Sequence, residues 1–521
     1  MFNWMRSLFS KKPTPRSSVR MYHAAKSSRL TSGWSPSNTS ADAELASSLT
    51  TLRNRSRALV RDAPYAKRLK TICVNNIIGS GIGLQAQVGT SRGELNQRIN
   101  DDIEKAWYEW CEADSCHTGG TLHFSDLERA LMGEQFEAGE VFIRLHFSAF
   151  GNSRIPLALE LIEAERLADE FSFPAQPGTL AAGNTVRLGV EMDSFYRPVA
   201  YWIRERHITE SHMFSGGTDR LERVPATQII HLRTVNRWPQ TRGEPWMHAV
   251  IRKLNDMDGY SEAEIVAARG AANYMGFIER PEQDPDIATT KEDGSREITL
   301  EPGTIEELLP GEKFNGYMPT RPNANMDPFM RMMLREVCAG VGPSYESTSR
   351  DYSQSNYSSS RLALLDDKDL WRVHQSTWLR SFRMIVHRIW LQQAVLARAV
   401  TSIPIESYAS DPRKFEKVNF KPRGWSWIDP TKEVEAYKQA VRAGFMTVSD
   451  VIALTGGGQD LEEVLTARRH ELDLMESHDL QFDTDPEVDA KGNKAEEPKE
   501  PVEPDDEPVE PARVLKMTRT Q

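Results

Sequence analysis

Three features of the sequence predict an α+β chain. From 140 to 201, short runs such as "EVFIRLHF", "LALELIEAERL" and "TVRLGVEMDSFYRPVAYWI" alternate apolar and polar residues between turn formers, the signature of an antiparallel sheet. Elsewhere apolar residues recur at three, four and seven positions, the stripe of a helix packed on one face, most clearly over 361–398. Between two such helical stretches, residues 277–325 hold β-rich runs ("GFIER", "EITLEPGTIEELLPGEKF") broken by Gly and Pro, so a small strand-containing insertion is carried on two helices.

Residues 42–78 read as a helix with Leu45, Leu49, Leu52, Leu59 and Leu69 as core positions and Arg53, Arg55, Arg57 and Arg61 around them. The helix runs into "IIGSGIGLQ". Its Gly79, Gly81 and Gly83 follow a helix and precede a strand, the reverse of a phosphate-cradling loop, so they are read as a helix-ending turn. Pro245 opens a second long helix, with Trp246, Val250, Leu254, Met257, Ile265, Ala268 and Met275 drifting along one face. After the insertion, Asp327 and Pro328 read as an N-cap and a first-turn proline. Phe329, Met333, Val337 and Val341 then keep one face apolar until Gly342 and Pro343.

The next residues, "GPSYESTSRDYSQSNYSSSR", are rich in hydroxyls and almost without aliphatic anchors, which predicts a long loop unable to pack into a core. Loops of that length inside a folded region bind, gate or stay disordered. Trp371, Trp378, Phe382, Ile385 and Ile389 form the apolar stripe of the helix that follows, from about Arg361 to Arg398.

A chain of 521 residues, 39% of them hydrophobic, has room for two to four domains by length. No run of about 18 apolar residues could span a bilayer, and "MFNWMRSLFSKK" lacks the apolar stretch of a signal peptide. Four scattered cysteines (Cys73, Cys111, Cys116, Cys338) argue for a reducing compartment. The net charge of −11 is unevenly spread: residues 1–70 carry 14 Lys/Arg against 3 Asp/Glu, and residues 476–521 carry 14 acidic against 6 basic. The C-terminal Pro/Glu tract is read as a solvated, disordered tail. The Ser/Arg-rich N-terminus reads either as an arm that orders in an assembly, with nucleic-acid contact open to it, or as a solvated basic surface.

The sequence offers little chemistry. It contains no Walker A loop, no HExxH helix and no GxSxG elbow, so no enzyme and no cofactor are expected. Cys111, Cys116, His117 and His123 lie close in sequence, but their spacing is loose for zinc. Glu160, Glu163 and Glu165 read as a solvated strand end rather than a catalytic pair, and His207, His231 and His374 as structural. The competing readings are a nucleotide- or metal-dependent enzyme, using the glycine turn or the Cys/His cluster, and a sequence-specific DNA-binding protein, favoured by the basic N-terminus.

The order of segments resembles the portal proteins of tailed bacteriophages, of the lambda type. The resemblance spans about Tyr22 to Leu474. It rests on "SADAEL" (40–45), "LRNRSRALVRDAPYAKR" (52–68), "IIGSGIGL" (77–84), "EAGEVFIRL" (137–145), "GVEMDSFYRPVAYW" (189–202), "VPATQIIHL" (224–232), "RGEPWMHAVIRKLNDMDGY" (242–260), "NYSSSR" (356–361) and "WIDPTKE" (427–433). "GPSYESTSRDYS" (342–353) departs from the pattern, which has a more apolar residue after the Tyr-Glu pair.

The resemblance implies a domain map. Residues 1–21 would be a flexible basic arm, 22–242 the N-terminal part of a mixed α/β wing, 243–276 and 326–342 the two stem helices, and 277–325 a small β-containing clip. Residues 343–360 would be a tunnel loop, 361–429 a long wing helix with its connection, 430–475 a helical crown and 476–521 a disordered acidic tail. It further implies a homo-oligomeric ring, a dodecamer, at one capsid vertex of the virion, assembled in the host cytoplasm with no membrane. Double-stranded DNA would pass through it without sequence specificity. The implied partners are the terminase large subunit, major capsid and scaffold proteins, and head-completion or neck proteins. Ser347, Ser349, Arg350, Tyr352, Ser353, Ser355 and Asn356 would line the channel, and Glu306, Glu307 and Lys313 on the clip would meet the motor and neck. For Arg350, contact with DNA and pairing with an acid of a neighbouring subunit such as Asp351 are both open.

Overall fold

The computed structural model describes residues 38–90, 95–170, 183–207, 220–273, 276–279, 305–308, 325–425, 430–455 and 461–478, together with 29, 172, 209, 210 and 480. The expected basic arm (1–21), Lys313 with most of the 277–325 insertion, and the acidic tail beyond Leu480 lie outside the described residues. The chain forms two compact units, Met1–Pro422 and Arg423–Gln521.

The first unit opens with α1 (Ala41–Asp62), capped by Ser40, whose hydroxyl accepts from the Ala43 amide at 3.2 Å. The single helix expected over 42–78 is two. Pro64 cannot donate an amide hydrogen and pushes the residue before it out of the helical region, so Ala63 is extended and α2 (Pro64–Ile77) starts afresh. Leu45, Leu49, Leu59 and Leu69 are buried as expected, whereas Leu52 is only half-buried. Arg53, read as one of a surface set, is 1% exposed. After α2, Gly79 and Gly81 take positive φ (67° and 129°) and lead into β1 (Gly83–Ala86), the helix-ending turn expected.

Three helices follow: α3 (Gln97–Trp110), α4 (Ala113–Cys116) and α5 (Phe124–Ala138). Their Trp107, Trp110 and Phe124 bury against one another with ring centroids 5.3–5.4 Å apart. α5 ends at Gly139 (φ 87°), where a β-carbon would stand 2.1 Å from the Glu244 carbonyl carbon; only glycine fits this crossing.

The antiparallel strands predicted from alternation are present. β2 (Glu140–His146) lies between β3 (Ala158–Ile162) and β8 (Ile229–Arg233), pairing Phe142 with Ile162 on one side and His231 on the other. A second sheet runs β4 (Thr185–Arg187), β5 (Val190–Met192), β6 (Pro198–Arg204), β7 (Leu221–Pro225) in that order. Phe142, Ile162, Val190, Tyr201, Ile203 and Val224 form their shared core.

The next long helix, α6, runs Ile251–Asn273 rather than from Pro245. Residues 246–250 form turns because Trp246 is held by other elements: its amide donates to Phe136 O at 3.2 Å and its indole packs on Phe136 and His374. In the insertion, β9 (Gly276–Glu279) and β10 (Ile305–Leu308) pair in parallel. α7 (Met326–Val341) begins one residue before Asp327. That carboxylate is not the cap; it pairs with Arg331 at 2.9 Å, one turn on. Of the stripe read for this helix, Val337 buries but Phe329 is 41% exposed, lying edge-on to Tyr260 of α6 at 5.2 Å. α7 comes close to the turn that precedes α6 at Gly340, where a β-carbon would stand 2.4 Å from Val250 Cγ1.

After α8 (Tyr345–Ser349), α9 (Tyr357–Trp378) passes through one π turn, Leu379–Arg383, into α10 (Met384–Leu396). Trp371, Trp378 and Phe382 are buried as the stripe predicts, but Ile385 is 36% exposed and Ile389 half-buried. The π turn absorbs one extra residue, so the inward face moves on by one position and Val386 and Trp390 take those places at 0% exposure. The unit closes with α11 (Ile405–Ser410), α12 (Pro412–Phe415) and β11 (Val418–Lys421), which pairs with β1.

The second unit is helical where described: α13 (Pro430–Arg442), α14 (Val448–Thr455) and α15 (Leu461–Ser477).

Candidate functional site

Residues 343–360 are more ordered than their composition predicts. Ser344 caps α8, its Oγ accepting from the Ser347 amide at 3.3 Å. Asp367, 3% exposed on α9, receives the Ser344 amide at 2.8 Å and the hydroxyls of Ser344 and Ser347 at 2.8 and 2.5 Å. A buried carboxylate satisfied by three donors therefore staples α8 to the long helix. Thr348, also 3% exposed, donates its hydroxyl to Ser344 O at 2.9 Å. The expectation of a loop without structure of its own is corrected for its first part. Paired hydroxyls, not aliphatic side chains, are what this stretch buries.

Beyond α8 the chain turns outward. Arg350 ends the helix in the left-handed region (φ 58°), its amide donating to Glu346 O at 2.9 Å. Asp351 is engaged within its own chain: the Ser353 amide donates to Oδ1 at 3.0 Å, the Tyr345 hydroxyl to Oδ2 at 2.9 Å, and Arg331 stands 3.6 Å away. The bonds from Ser353, then Tyr345 and the Arg331 charge hold its carboxyl down at about 2. Asn356 caps α9, accepting from the Ser359 amide at 2.9 Å while Ser359 reciprocates as a capping box.

The seven residues assigned to a channel thus fall into two groups. Ser347 and Ser349 use their hydroxyls internally, the latter donating to Tyr345 O at 2.7 Å. Arg350, Tyr352, Ser353 and Asn356 are exposed, and half-buried Ser355 donates to Tyr352 O. Sequence reasoning missed the residues that hold the segment: Asp367, Arg331, Arg335, whose guanidinium lies 5.2 Å over the Tyr345 ring, and Arg68 of α2, which donates to Ser347 O at 2.9 Å. Glu306 and Glu307 lie on β10, in register with Phe277 and Ile278.

Residues 27–375 match the family described as "Phage portal protein, lambda family". The chain belongs to this family of phage portal proteins. A probable portal protein of Halomonas phage phiHAP-1 is 26% identical over 453 residues, covering 85% of this chain and 84% of the relative. Portal protein B of Escherichia phage lambda is 21% identical over 470 residues, covering 84% and 86%. Among solved structures, the neck of an empty gene transfer agent particle has a TM-score of 0.37 at 13% identity, covering 77% of this chain and 93% of that one. Portal proteins are structural virion components that form oligomeric rings at the phage vertex.

In this portal-family chain the other candidate groups have local partners. Cys116 Sγ lies 3.4 Å from Cys111 O, and burial pushes its thiol up to about 12. His123 Nδ1 accepts from the Ser125 amide at 3.2 Å as the cap of α5, and His117 Nδ1 from the Thr121 amide at 3.4 Å. Glu160 meets His146 at 2.8 Å and Arg166 at 3.0 Å, and Glu165 lies 2.7 Å from Arg57. Among the described residues no three His, Cys, Asp or Glu side chains are grouped to hold a metal ion, and no helix is long and apolar enough to cross a membrane.

Proposed function

We propose that copies of this chain close into a ring, a dodecamer, through head-to-tail contacts at one capsid vertex, and that double-stranded DNA passes through its centre during packaging and ejection. The supporting observation is the segment 344–360: a rigid base pinned to buried Asp367 carries an outward tip bearing Tyr352, Ser353, Ser355 and Asn356. Such a tip suits a conduit. Neutral hydroxyls meet phosphates transiently, without the salt-dependent grip of a lysine-lined or arginine-lined wall, and phosphate contacts carry no sequence information.

Because 344–349 is built into the fold, the informative change is confined to the tip. Replacing residues 352–355 with Gly-Ser-Gly-Ser is expected to leave ring assembly and melting temperature nearly unchanged and to reduce packaged-DNA length or retention. Rings of this variant that package and hold full-length DNA would rule out a channel role for the tip.

Partners outside the ring belong to the same proposal: the terminase large subunit and later neck proteins at the insertion, with Glu306, Glu307 and Lys313 on the docking face, and major capsid and scaffold proteins around the rim. Glu306→Lys combined with Glu307→Lys is expected to weaken terminase binding at least tenfold in a pull-down titration while rings still form, since like charges set against each other at an interface are strongly disfavoured. Lost rings with unchanged terminase binding would make this strand an intersubunit element.

A further inference from the structure

The second unit leaves its apolar residues without a core. On α13, Val434, Tyr437 and Val441 recur at three and four positions, and on α14 Val448 and Val451 continue the spacing, so each helix carries a stripe suited to burial. The stripes stay open. Among the described residues of α13, α14 and α15 not one is buried, Val434 and Val448 are 37% and 49% exposed, and Phe445 in the turn between the first two helices is 84% exposed. Together the two stripes line an apolar groove of about 320 Å³ with exposed Lys438 and Arg442 at its edge. Neither cation has a carboxylate partner among the described residues. Glu435 accepts from Gln439 Nε2 at 3.3 Å, Asp450 from the Thr447 amide and hydroxyl at 2.9 and 2.8 Å, and on α15 Glu471 and Asp473 each pair with an arginine, Arg468 and Arg469, at 3.1 Å. Glu433 and Glu462 are engaged as well, and Glu476 stands in the last turn of α15. An apolar groove with two unpaired cations at its edge fits an acidic segment that carries apolar anchors.

We propose that the occupant is residues 480–488 of this chain, "LQFDTDPEV", which follow the end of α15. Leu480, Phe482 and Val488 are its anchors, and Phe482 is the only aromatic residue after Phe445. Its charge is the complement of the groove's edge: residues 479–490 hold five Asp or Glu and no Lys or Arg. The other apolar stretch of the tail, Val514, Leu515 and Met517, is interleaved with Arg513, Lys516 and Arg519, which would set like charges against Lys438 and Arg442. Reach is sufficient. The Leu480 amide closes on Met475 O at 3.0 Å and its side chain is 55% exposed, so the segment departs from there. The eight residues that follow Leu480 span about 26 Å when extended, roughly the length of the 17-residue α15, so they can return to α14, on which α15 packs. Tethering holds the effective concentration on the order of millimolar, so a few apolar contacts and two ion pairs suffice. Docked there, the segment gives the second unit the cover that its own helices do not supply.

Hydrogen exchange of the full chain, read by mass spectrometry over 430–455 and 479–490, tests this. In the parent, the amides of 480–488 are expected to exchange at least about tenfold slower than in a free synthetic peptide of the same sequence, the protection that a docked segment acquires. Phe482→Ser combined with Val488→Ser should abolish that protection and speed exchange across α13 and α14. Lys438→Glu with Arg442→Glu should do the same. Adding Asp483→Lys and Asp485→Lys to the groove variant should restore the parent pattern, a recovery that damaged helices could not show. Parent amides over 480–488 that exchange as fast as the free peptide would overturn the assignment, and so would a charge-swapped variant that stays fast. It would also be overturned if α13 and α14 kept the parent's exchange after Phe482→Ser and Val488→Ser, the result expected where a second copy fills the groove. The conduit reading does not depend on any of these results.

Discussion

Glu140→Gln is expected to lower the melting midpoint of the protein by roughly 10 °C or to prevent folding, a loss of about 3–5 kcal/mol. Glu140 is fully buried and accepts from Arg53 Nη2 at 2.5 Å, Arg242 Nε at 2.7 Å, the Gly243 amide at 2.8 Å and His231 Nε2 at 2.9 Å. Two buried guanidinium groups share this carboxylate. Removing its charge leaves buried Arg242 without a carboxylate and Arg53 with only the more distant Asp169, 3.4 Å from Nη1, whereas the native set is mutually compensated. The Arg242 guanidinium also ties the loop to Leu188 O and Ala164 O at 2.8 and 3.1 Å, so the damage spreads across both sheets. A midpoint within about 2 °C of the parent would show that the hub is not what holds these elements together.

The same hub sets an acid limit. Burial alone would raise the Glu140 carboxyl, but Arg242, Arg53 and His231 outweigh it and hold it well below its ordinary 4.5. Burial pushes His231 the other way for a base, from 6.5 down to about 4, against the pull of Glu140. Both folded values lie below the unfolded ones, so the unfolded chain binds more protons and stability falls as pH drops. For His231 the loss runs from about pH 6.5 to about pH 4, and for Glu140 it continues below 4.5. His231→Gln should flatten the upper part of that decline.

Local pattern made some of this architecture legible and hid the rest. The strands of residues 140–201 and the glycine turn after α2 could be read because alternation and helix-to-strand order are properties of a few adjacent residues. The hub could not, since Arg53, Glu140 and Arg242 are brought together across 87 and 102 positions. One local signal was available: Leu45, Leu49 and Arg53 follow each other at four-residue intervals, which places that arginine on the apolar stripe and not among its exposed neighbours. In the segment 344–349, short hydroxyl side chains looked unable to pack because their partner, Asp367, lies 20 residues beyond Ser347 and has the look of a surface acid in "LLDDKDLW". The phase of the long helix was misjudged after Phe382 because hydrophobic spacing carries no mark of a π turn, and a continuous 3.6-residue period points to Ile385 and Ile389.

That π turn is also where the second large effect is expected. It turns both Phe382 and Arg383 inward, and Arg383, 1% exposed, grips Glu128 of α5 with Nε at 2.7 Å and Nη2 at 2.5 Å, the bidentate geometry that makes arginine–carboxylate pairs strong. The Trp378 indole donates to the same carboxylate at 3.1 Å, and the guanidinium lies over the rings of Phe124, Phe420 and Trp107 at 4.9, 5.7 and 5.9 Å. Arg383→Ala would leave the Glu128 carboxylate, 0% exposed, with the indole alone and open a void among those rings; a loss of about 3–5 kcal/mol is expected. The same reasoning predicts that Glu128→Leu with Arg383→Met recovers about half of the loss, because an apolar pair of similar volume strands no charge. The remaining deficit should be about 1–3 kcal/mol, the cost of the Trp378 N–H left without its acceptor. Denaturation of Glu128→Leu, Arg383→Met and the double variant that combines them measures the coupling directly. A double variant no more stable than Arg383→Ala would mean that the pair sets the π turn itself, and that without it α10 loses the phase which buries Val386 and Trp390.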